Sequence, residues 1–274
     1  MPSTELCAIP FHTQPDAPTP AWAGRHPDKD ALRQEIWASL KANQVVKRDP
    51  VGHIPDFVKA EVAADRLAAL AIWQRAQVIK CNPDAPQQPV RLQALRDGKL
   101  LYMAVPRLAQ KQCFVALQRE ALAAQSVPLE KAANMRDALI YGQPVAFDEM
   151  QPIDLVVVGC VAATTTGGRT GKGAGFADLE LALLRSGGLV TAETPIVTTV
   201  HDLQVVAGDR LPMAPHDWPL DWVITPTTVI ATGTQWPRPL GIDWAALQPD
   251  QVQQIPVLRS LAQRHQPAPP GADA

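Results

Sequence analysis

Apolar residues recur every fourth position at Leu32, Ile36 and Leu40 within KDALRQEIWASLKAN, and Trp37 widens the stripe. That spacing predicts an amphipathic helix over 29–43. A second helical stretch spans roughly 56–75, rich in Ala and Leu at its centre, with Asp56 placed after Pro55 to cap it. A short strand is expected at 78–80, then a Pro-rich turn over 82–89. Residues 90–97 read as helix stopped by Gly98, and 100–105 as a compact strand. Weaker helical patterns cover 108–124 and 129–140.

The clearest strand is IDLVVVG at 153–159. An unbroken Ile/Leu/Val run of this kind suits a central strand covered on both faces. A polar, glycine-rich loop follows, then a helix over about 177–186 closed by Gly187 and Gly188. Further strands are expected at 195–200, 222–225 and 229–231. Strands alternating with helices predict an α/β fold with a mostly parallel sheet and helices on both faces. Ligands of such sheets bind at loops beyond the carboxyl ends of the strands. No repeat and no linker splits the chain, so 28–265 reads as one domain, with tails at 1–27 and 266–274 where proline limits helix and sheet pairing.

Composition narrows the functions. The formal net charge of −2 gives no bulk attraction to nucleic acid. No run of about 18 apolar residues suggests a membrane span, and the N-terminus lacks the pattern of a signal peptide. Cys7, Cys81, Cys113 and Cys160 form no CxxC pair and no zinc spacing, which suits reduced thiols in a cytoplasmic protein. No G-x-S-x-G elbow supports serine hydrolase chemistry. The tryptophans suit pinned loops or an apolar ring site.

Candidate chemistry concentrates in GCVAATTTGGRTGKGAGFADLE, after the strand at 153–159. Gly167, Gly168, Gly171, Gly173 and Gly175 leave the backbone open to positive φ and to a close ligand. Amides at the start of the next helix face an anion with a favourable dipole. Arg169 and Lys172 supply cations for phosphate oxygens, and Asp178 is placed to hold a magnesium ion. A Walker A loop needs Ser or Thr after its Gly-Lys pair, but Gly173 follows Lys172. The spacing of Gly171, Gly173 and Gly175 also misses the Rossmann pattern. A flexible surface loop without ligand is the competing reading.

The run from Arg169 to Asp178, RTGKGAGFAD, resembles the R-x-G-x-G-x-G-[YF]-Y-D signature of 5-formyltetrahydrofolate cyclo-ligases. Lys29, Leu32 and Arg33 resemble that family's N-terminal K-x-x-L-R, and HDWPLD at 216–221 its late H-D-x-P-L-D segment. Further segments resemble a divergent branch, the methenyltetrahydrofolate synthetase domain-containing proteins. These are Ile36-Trp37, Gly171-Lys172-Gly173, Ala177-Asp178-Leu179-Glu180, TPIVT at 194–198, VHDLQVV at 200–206, and TPT with IATG over 225–233. Folate chemistry is not securely established across that branch, and a link to thiamine metabolism has been suggested for some members.

The resemblance implies a three-layer α/β/α sandwich of the cyclo-ligase type. It also implies ATP- and Mg²⁺-dependent conversion of 5-formyltetrahydrofolate to 5,10-methenyltetrahydrofolate. In that reaction ATP phosphorylates the formyl oxygen, N10 closes the ring, and phosphate leaves. Lys29, Arg169 and Lys172 are then the expected catalytic cations. Lys29, Arg33, Gly171, Lys172, Gly173, Ala174, Gly175, Phe176 and Asp178 are expected to hold the nucleotide, with Asp178 on the metal. Phe176 is also an expected substrate contact, as are His201, at the carboxyl end of a strand, and Gln204. His216 and Asp217 are open between loop-pinning and catalysis.

Departures accompany the match. The second aromatic of the signature is Ala177, and the basic residue after the Asp is Leu179. The acidic substrate segment aligns with Cys81-Asn82-Pro83-Asp84, where Asp84 is only a loose substitute for the family's glutamate. The expected ligand is a small molecule, a reduced folate or another heterocycle, with neither nucleic acid nor membrane as partner. The alternatives are action on another heterocycle, possibly thiamine-related, and a regulatory nucleotide- or metabolite-binding module.

Overall fold

A computed structural model describes residues 26–109 and 112–265. The expected tails fall outside these residues except for His26 and Pro27, as does Cys7.

The first helix, α1 (Pro27–Ala42), starts where His26 Nδ1 accepts from the Asp28 amide at 3.2 Å. Pro27 opens its first turn, Asp28 and Asp30 lie at its positive end, and Lys41 at its negative end. Its buried face holds Leu32, Ile36, Trp37 and Leu40 together with Lys29 and Arg33. The expected helix over 56–75 is two pieces, α2 (Ala60–Ala68) and α3 (Ala71–Arg75). Asp56 does not cap the first: the N-cap is Lys59, in left-handed backbone, and Asp56 lies within 3.8 Å of Lys47 and Arg48.

There follow β1 (Val78–Cys81), α4 (Gln88–Arg96), β2 (Leu100–Ala104), β3 (Phe114–Leu117), α5 (Arg119–Ala124), α6 (Leu129–Ala132), α7 (Met135–Tyr141) and β4 (Gln143–Val145). The helix expected over 108–124 is therefore corrected. Its middle is β3, because Phe114 to Leu117 pair antiparallel with Leu101 to Ala104. The 129–140 segment is likewise two helices, α6 and α7.

The second half contains β5 (Leu155–Val158), β6 (Ala162–Thr164), β7 (Arg169–Thr170), α8 (Phe176–Ser186), β8 (Ile196–Thr199), β9 (Val205–Val206), β10 (Trp222–Ile224) and β11 (Val229–Ala231). It ends in α9 (Pro249–Gln254) and α10 (Pro256–His265), for which the sequence pattern gave no expectation.

Eight strands form one sheet in the order β11-β10-β8-β5-β1-β2-β3-β4. Every neighbouring pair from β10 to β2 is parallel, and antiparallel strands close both edges. The two sheet faces are each covered. Ile79, Leu101, Leu155 and Val197 pack with Ala63, Leu67, Leu95 and Leu139 on one side. Val156, Val158, Ile196 and Val223 pack with Leu181, Leu184 and Leu258 on the other. This is the expected three-layer α/β/α arrangement. It explains the unbroken apolar run of β5, which is buried on both faces.

Two strand orders diverge at the centre. From β1 the chain crosses through α4 to β2 on one side; from β5 it crosses through α8 to β8 on the other. The crevice beyond the carboxyl ends of β1 and β5 is thus the topological switch point, where doubly wound sheets take their ligands. A small second sheet, β7-β6-β9, stands above it, and α1 packs Leu32, Ile36 and Leu40 against Val161 and Ala162 of that layer.

Candidate functional site

The segment after β5 is not one flexible loop. Ala162 and Ala163 pair antiparallel with Thr170 and Arg169, so only 171–175 remains open before α8. Gly173 has φ +105° and Gly175, the N-cap of α8, φ +67°. A Cβ on Gly171 or Gly175 would meet no atom within 4 Å, so the loop opens onto unfilled space. Gly159, by contrast, is held close: a Cβ there would come within 3.0 Å of Asp84 Oδ2 and 2.9 Å of Gln87 Oε1. The chain leaving β5 therefore lies directly against the chain leaving β1.

Cations of α1 hold this loop in place. Arg33 Nε donates to the Gly171 carbonyl at 2.6 Å and its Nη2 to Thr170 Oγ1 at 2.7 Å, while Nη1 pairs with Asp30. Lys29, one turn earlier, pairs with Asp217, whose Oδ2 also accepts from the Ala214 amide at 2.6 Å. Arg169 lies almost fully buried; its Nη2 meets Asp178 Oδ1 at 2.5 Å and its Nε donates to the Trp218 carbonyl at 2.9 Å. The Trp218 amide returns a bond to Asp178 Oδ1 at 2.9 Å. Burial raises the Asp178 carboxyl above its ordinary range; the Arg169 guanidinium pulls it back and the nearby Asp217 carboxylate adds to the rise.

Lys29, Arg33, Arg169, Gly171, Lys172, Gly173, Ala174, Gly175, Phe176 and Asp178 all line one cleft, together with Asp84, His216 and Asp217. Its volume is 2280 Å³, above the roughly 300–1,000 Å³ of a typical small-molecule pocket. Lys172 reaches across it to Asp84 Oδ1 at 3.2 Å. Phe176 is half-buried, lining the cleft while packing on the core beneath.

His201 and Gln204 are not brought to this cleft. Gln204 is buried; its Nε2 donates to the carbonyls of Cys160 and Val161 at 3.0 and 3.1 Å, and its Oε1 accepts from the His201 amide at 2.8 Å. His201 Nδ1 accepts from the Leu203 amide at 3.2 Å, and Asp202 takes hydroxyl bonds from Thr225 and Thr227. These groups fasten the loop after β8 to its neighbours, and both ends of the Gln204 amide are taken up by backbone groups.

Asp178 is the one carboxylate the sequence reading offered a metal, and among the described residues no group of three or more His, Cys, Asp or Glu could hold one. A single carboxylate at a helix start still fits Mg²⁺, which binds through one or two carboxylates with phosphate oxygens and water completing its shell.

Sequence reasoning passed over several residues of the site. Lys80 of β1 is fully buried between Glu180 of α8, with which it forms an ion pair, and Asn82 Oδ1 at 2.7 Å. Burial pushes the Lys80 ammonium down to about 7; Cys81 and Asp84 oppose that fall and the Arg169 charge adds to it. A lysine inside the short strand expected at 78–80 was the available signal, since a charge that becomes buried demands a partner. Arg91 of α4, also buried, donates from one nitrogen, Nη1, to the Asn82 and Asp84 carbonyls at 2.5 and 3.0 Å. Nothing in the spacing of Arg91 pointed to that.

A model of the 5-formyltetrahydrofolate cyclo-ligase family matches residues 25–226. The human methenyltetrahydrofolate synthase domain-containing protein is 38% identical over 242 residues, 88% of this chain and 63% of that protein. Its bovine counterpart is 39% identical over 247 residues, 89% and 64% of the two chains. This chain thus spans less than two thirds of the length of these relatives. An Aquifex aeolicus 5,10-methenyltetrahydrofolate synthetase structure aligns with a TM-score of 0.49 at 19% identity, over 80% of this chain and 99% of that one. Among the described residues no helix is long and apolar enough to cross a membrane.

Proposed function

The chain belongs to the 5-formyltetrahydrofolate cyclo-ligase family, and from that premise we propose that it binds Mg-ATP in the cleft over β1 and β5 and uses it to activate a reduced folate. The observation that carries this reading is the convergence of Lys29, Arg33, the 171–175 loop and Asp178 at the switch point of the sheet.

The division of labour follows from the contacts. Arg33 and Arg169 are committed to the protein: one sets the Gly171 carbonyl, the other sets Asp178. Lys172 is the cation with reach, because its partner Asp84 lies across the cleft and its side chain is 38% exposed. Lys172 and the amides opening α8 would bind phosphate oxygens, with Lys29 exchanging Asp217 for the same anion. Asp178 would hold Mg²⁺, which supplies charge neutralisation when bound. Phe176 would lie against a ring of the substrate.

A second heterocycle in place of folate is favoured by one feature. The segment leaving β1 carries Asn82 and Asp84 where the family has a glutamate. The discriminating experiment mixes protein, Mg-ATP and 5-formyltetrahydrofolate and follows methenyl product by near-ultraviolet absorbance, with calorimetric Mg-ATP binding on the same sample. Product formation that requires ATP and Asp178 supports the cyclo-ligase reading. ATP binding without product moves the substrate to another heterocycle; absence of ATP binding defeats the site assignment.

A further inference from the structure

The family match ends at residue 226, but the wall of the cleft does not. Ile242, Ala246, Leu247, Gln248 and Gln251 also line it. This later stretch is built into the fold. Arg238 Nη1 donates to the Ala192 and Thr194 carbonyls at 2.6 and 2.8 Å, and its Nη2 pairs with Asp221. The Ile242 amide donates to Ser186 Oγ at 3.2 Å, at the carboxyl end of α8. Further on, Ile255 and Leu258 of α10 are buried with Leu181 and Leu184 of α8.

One side of α8 lines the same cleft. Phe176, Leu179 and Ala182 recur every third residue, and Phe176 follows directly on the 171–175 loop. The cleft thus takes in the loop, an apolar face of α8 and the 242–251 stretch. Its 2280 Å³ leaves room beyond the phosphates, since a single small-molecule pocket holds roughly 300–1,000 Å³.

The 242–251 stretch brings two side-chain amides to that space. Gln251 Oε1 accepts from the Gln248 backbone amide at 2.8 Å. A backbone N–H only donates, so the atom it meets is the oxygen and Gln251 Nε2 is turned away from it. Gln248 opens α9 through its backbone: its carbonyl accepts from the Gln251 amide at 3.0 Å, and it makes no side-chain cap bond. Both residues are half-buried, and neither holds a buried unsatisfied atom. The Gln248 carboxamide therefore keeps a donor beside an acceptor for a ligand.

We propose that the 242–251 stretch is the nucleobase wall of the cleft, where Gln248 pairs with a purine edge that sets an amino group beside a ring nitrogen. The inference deepens the proposed Mg-ATP reading and rests on it. A nucleotide held by its phosphates at 171–175 lays its base elsewhere in the same cleft. A flat ring needs apolar cover on its faces and hydrogen bonds at its rim. The Phe176, Leu179 and Ala182 face supplies the first, and the two glutamines supply the second. A side-chain amide pairs twice with adenine: its oxygen accepts from the amino group and its nitrogen donates to the adjacent ring nitrogen. Gln248 and Gln251 lie beyond the residues that carry the family match, so they are specificity residues of this chain's own C-terminal part.

The test is calorimetric titration of the full chain with three magnesium complexes: ATP, purine riboside triphosphate, which lacks the amino group, and tripolyphosphate, which lacks the nucleoside. The native protein should bind Mg-ATP about fivefold more tightly than the purine analogue, the scale of one hydrogen bond. It should bind tripolyphosphate more weakly than either. Gln248→Leu should weaken Mg-ATP by about fivefold or more and erase the preference over the analogue. Ala246→Trp, which fills the space in front of the wall, should weaken both nucleotides. Tripolyphosphate affinity should stay within about twofold in both variants and serves as the check on folding. Equal native affinity for Mg-ATP and tripolyphosphate overturns the proposal and leaves the phosphate site intact. So does a preference for Mg-ATP over the analogue that survives in Gln248→Leu. A native protein that binds none of the three overturns the functional reading on which the proposal rests.

Discussion

Lys172 Nζ lies 3.2 Å from Asp84 Oδ1, and that ion pair joins the loop above β5 to the turn after β1. Its two ends belong to the two halves of the sheet that diverge at the switch point. Lys172 is 38% exposed, so the pair itself contributes only about 0–1 kcal/mol to stability. Its importance lies in what competes for it. Lys172→Ala should weaken Mg-ATP binding at least several-fold, while Asp84→Asn should not weaken it, because removing the carboxylate frees the lysine. Calorimetry on both variants checks this; equal losses in the two would contradict a phosphate-binding role for Lys172.

The pair Lys29–Asp217 is of another kind, with side chains 10% and 9% exposed. Lys29→Met strands the Asp217 carboxylate, and breaking a buried pair in this way costs about 3–5 kcal/mol. Adding Asp217→Asn should restore part of the stability without restoring Mg-ATP binding. Urea unfolding of the single and double variants, alongside nucleotide titration, separates the two effects.

Asp178 gives a pH signature. Burial, the largest influence, raises its carboxyl above the ordinary 3.8, against the pull of Arg169. A raised folded-state value means the native protein takes up this proton more readily than the unfolded chain. Its contribution to stability therefore improves as pH falls through the folded value. Mg²⁺ needs the ionised form, so nucleotide affinity should move oppositely and fall over that window. The acid limb of Mg-ATP affinity should lie above pH 3.8 and should disappear in Asp178→Asn, whose remaining affinity is low throughout.

Gly175 tests the backbone of the loop without changing a charged side chain. It caps α8 at φ +67°, and an added Cβ meets nothing within 4 Å. Gly175→Ala therefore carries only the left-handed penalty of about 1–2 kcal/mol. Thermal unfolding should fall by a few degrees, and Gly175→Asn should fall less because asparagine tolerates that conformation. A loss much larger than this would mean that the loop packs more tightly than its open surroundings indicate.

The physics of single segments was legible along the chain. The apolar run of β5 announced a strand covered on both faces, and the four-residue spacing of α1 announced its buried face. The glycines and cations of 169–178 marked the stretch that lines the cleft, and the resemblance carried Lys29 and Arg33 to the same cleft. These are local properties: periodicity, backbone freedom and charge are written in consecutive residues.

What depended on distant partners was not. β3 formed where a helix was expected because β2 offers it a ladder of hydrogen bonds. The small sheet β7-β6-β9 reduced a long loop to a short open one, and Gln204, expected at substrate, was spent on the carbonyls of Cys160 and Val161. Asp217 met Lys29 across 188 positions, Arg91 curled the Asn82–Asp84 turn, and Lys80 found Glu180 on another layer. The sequence determined which segments could be strands and helices and where the loop chemistry lay. Strand order and register decided which charges met, because a buried charge is stable only beside a partner that the fold alone can bring to it.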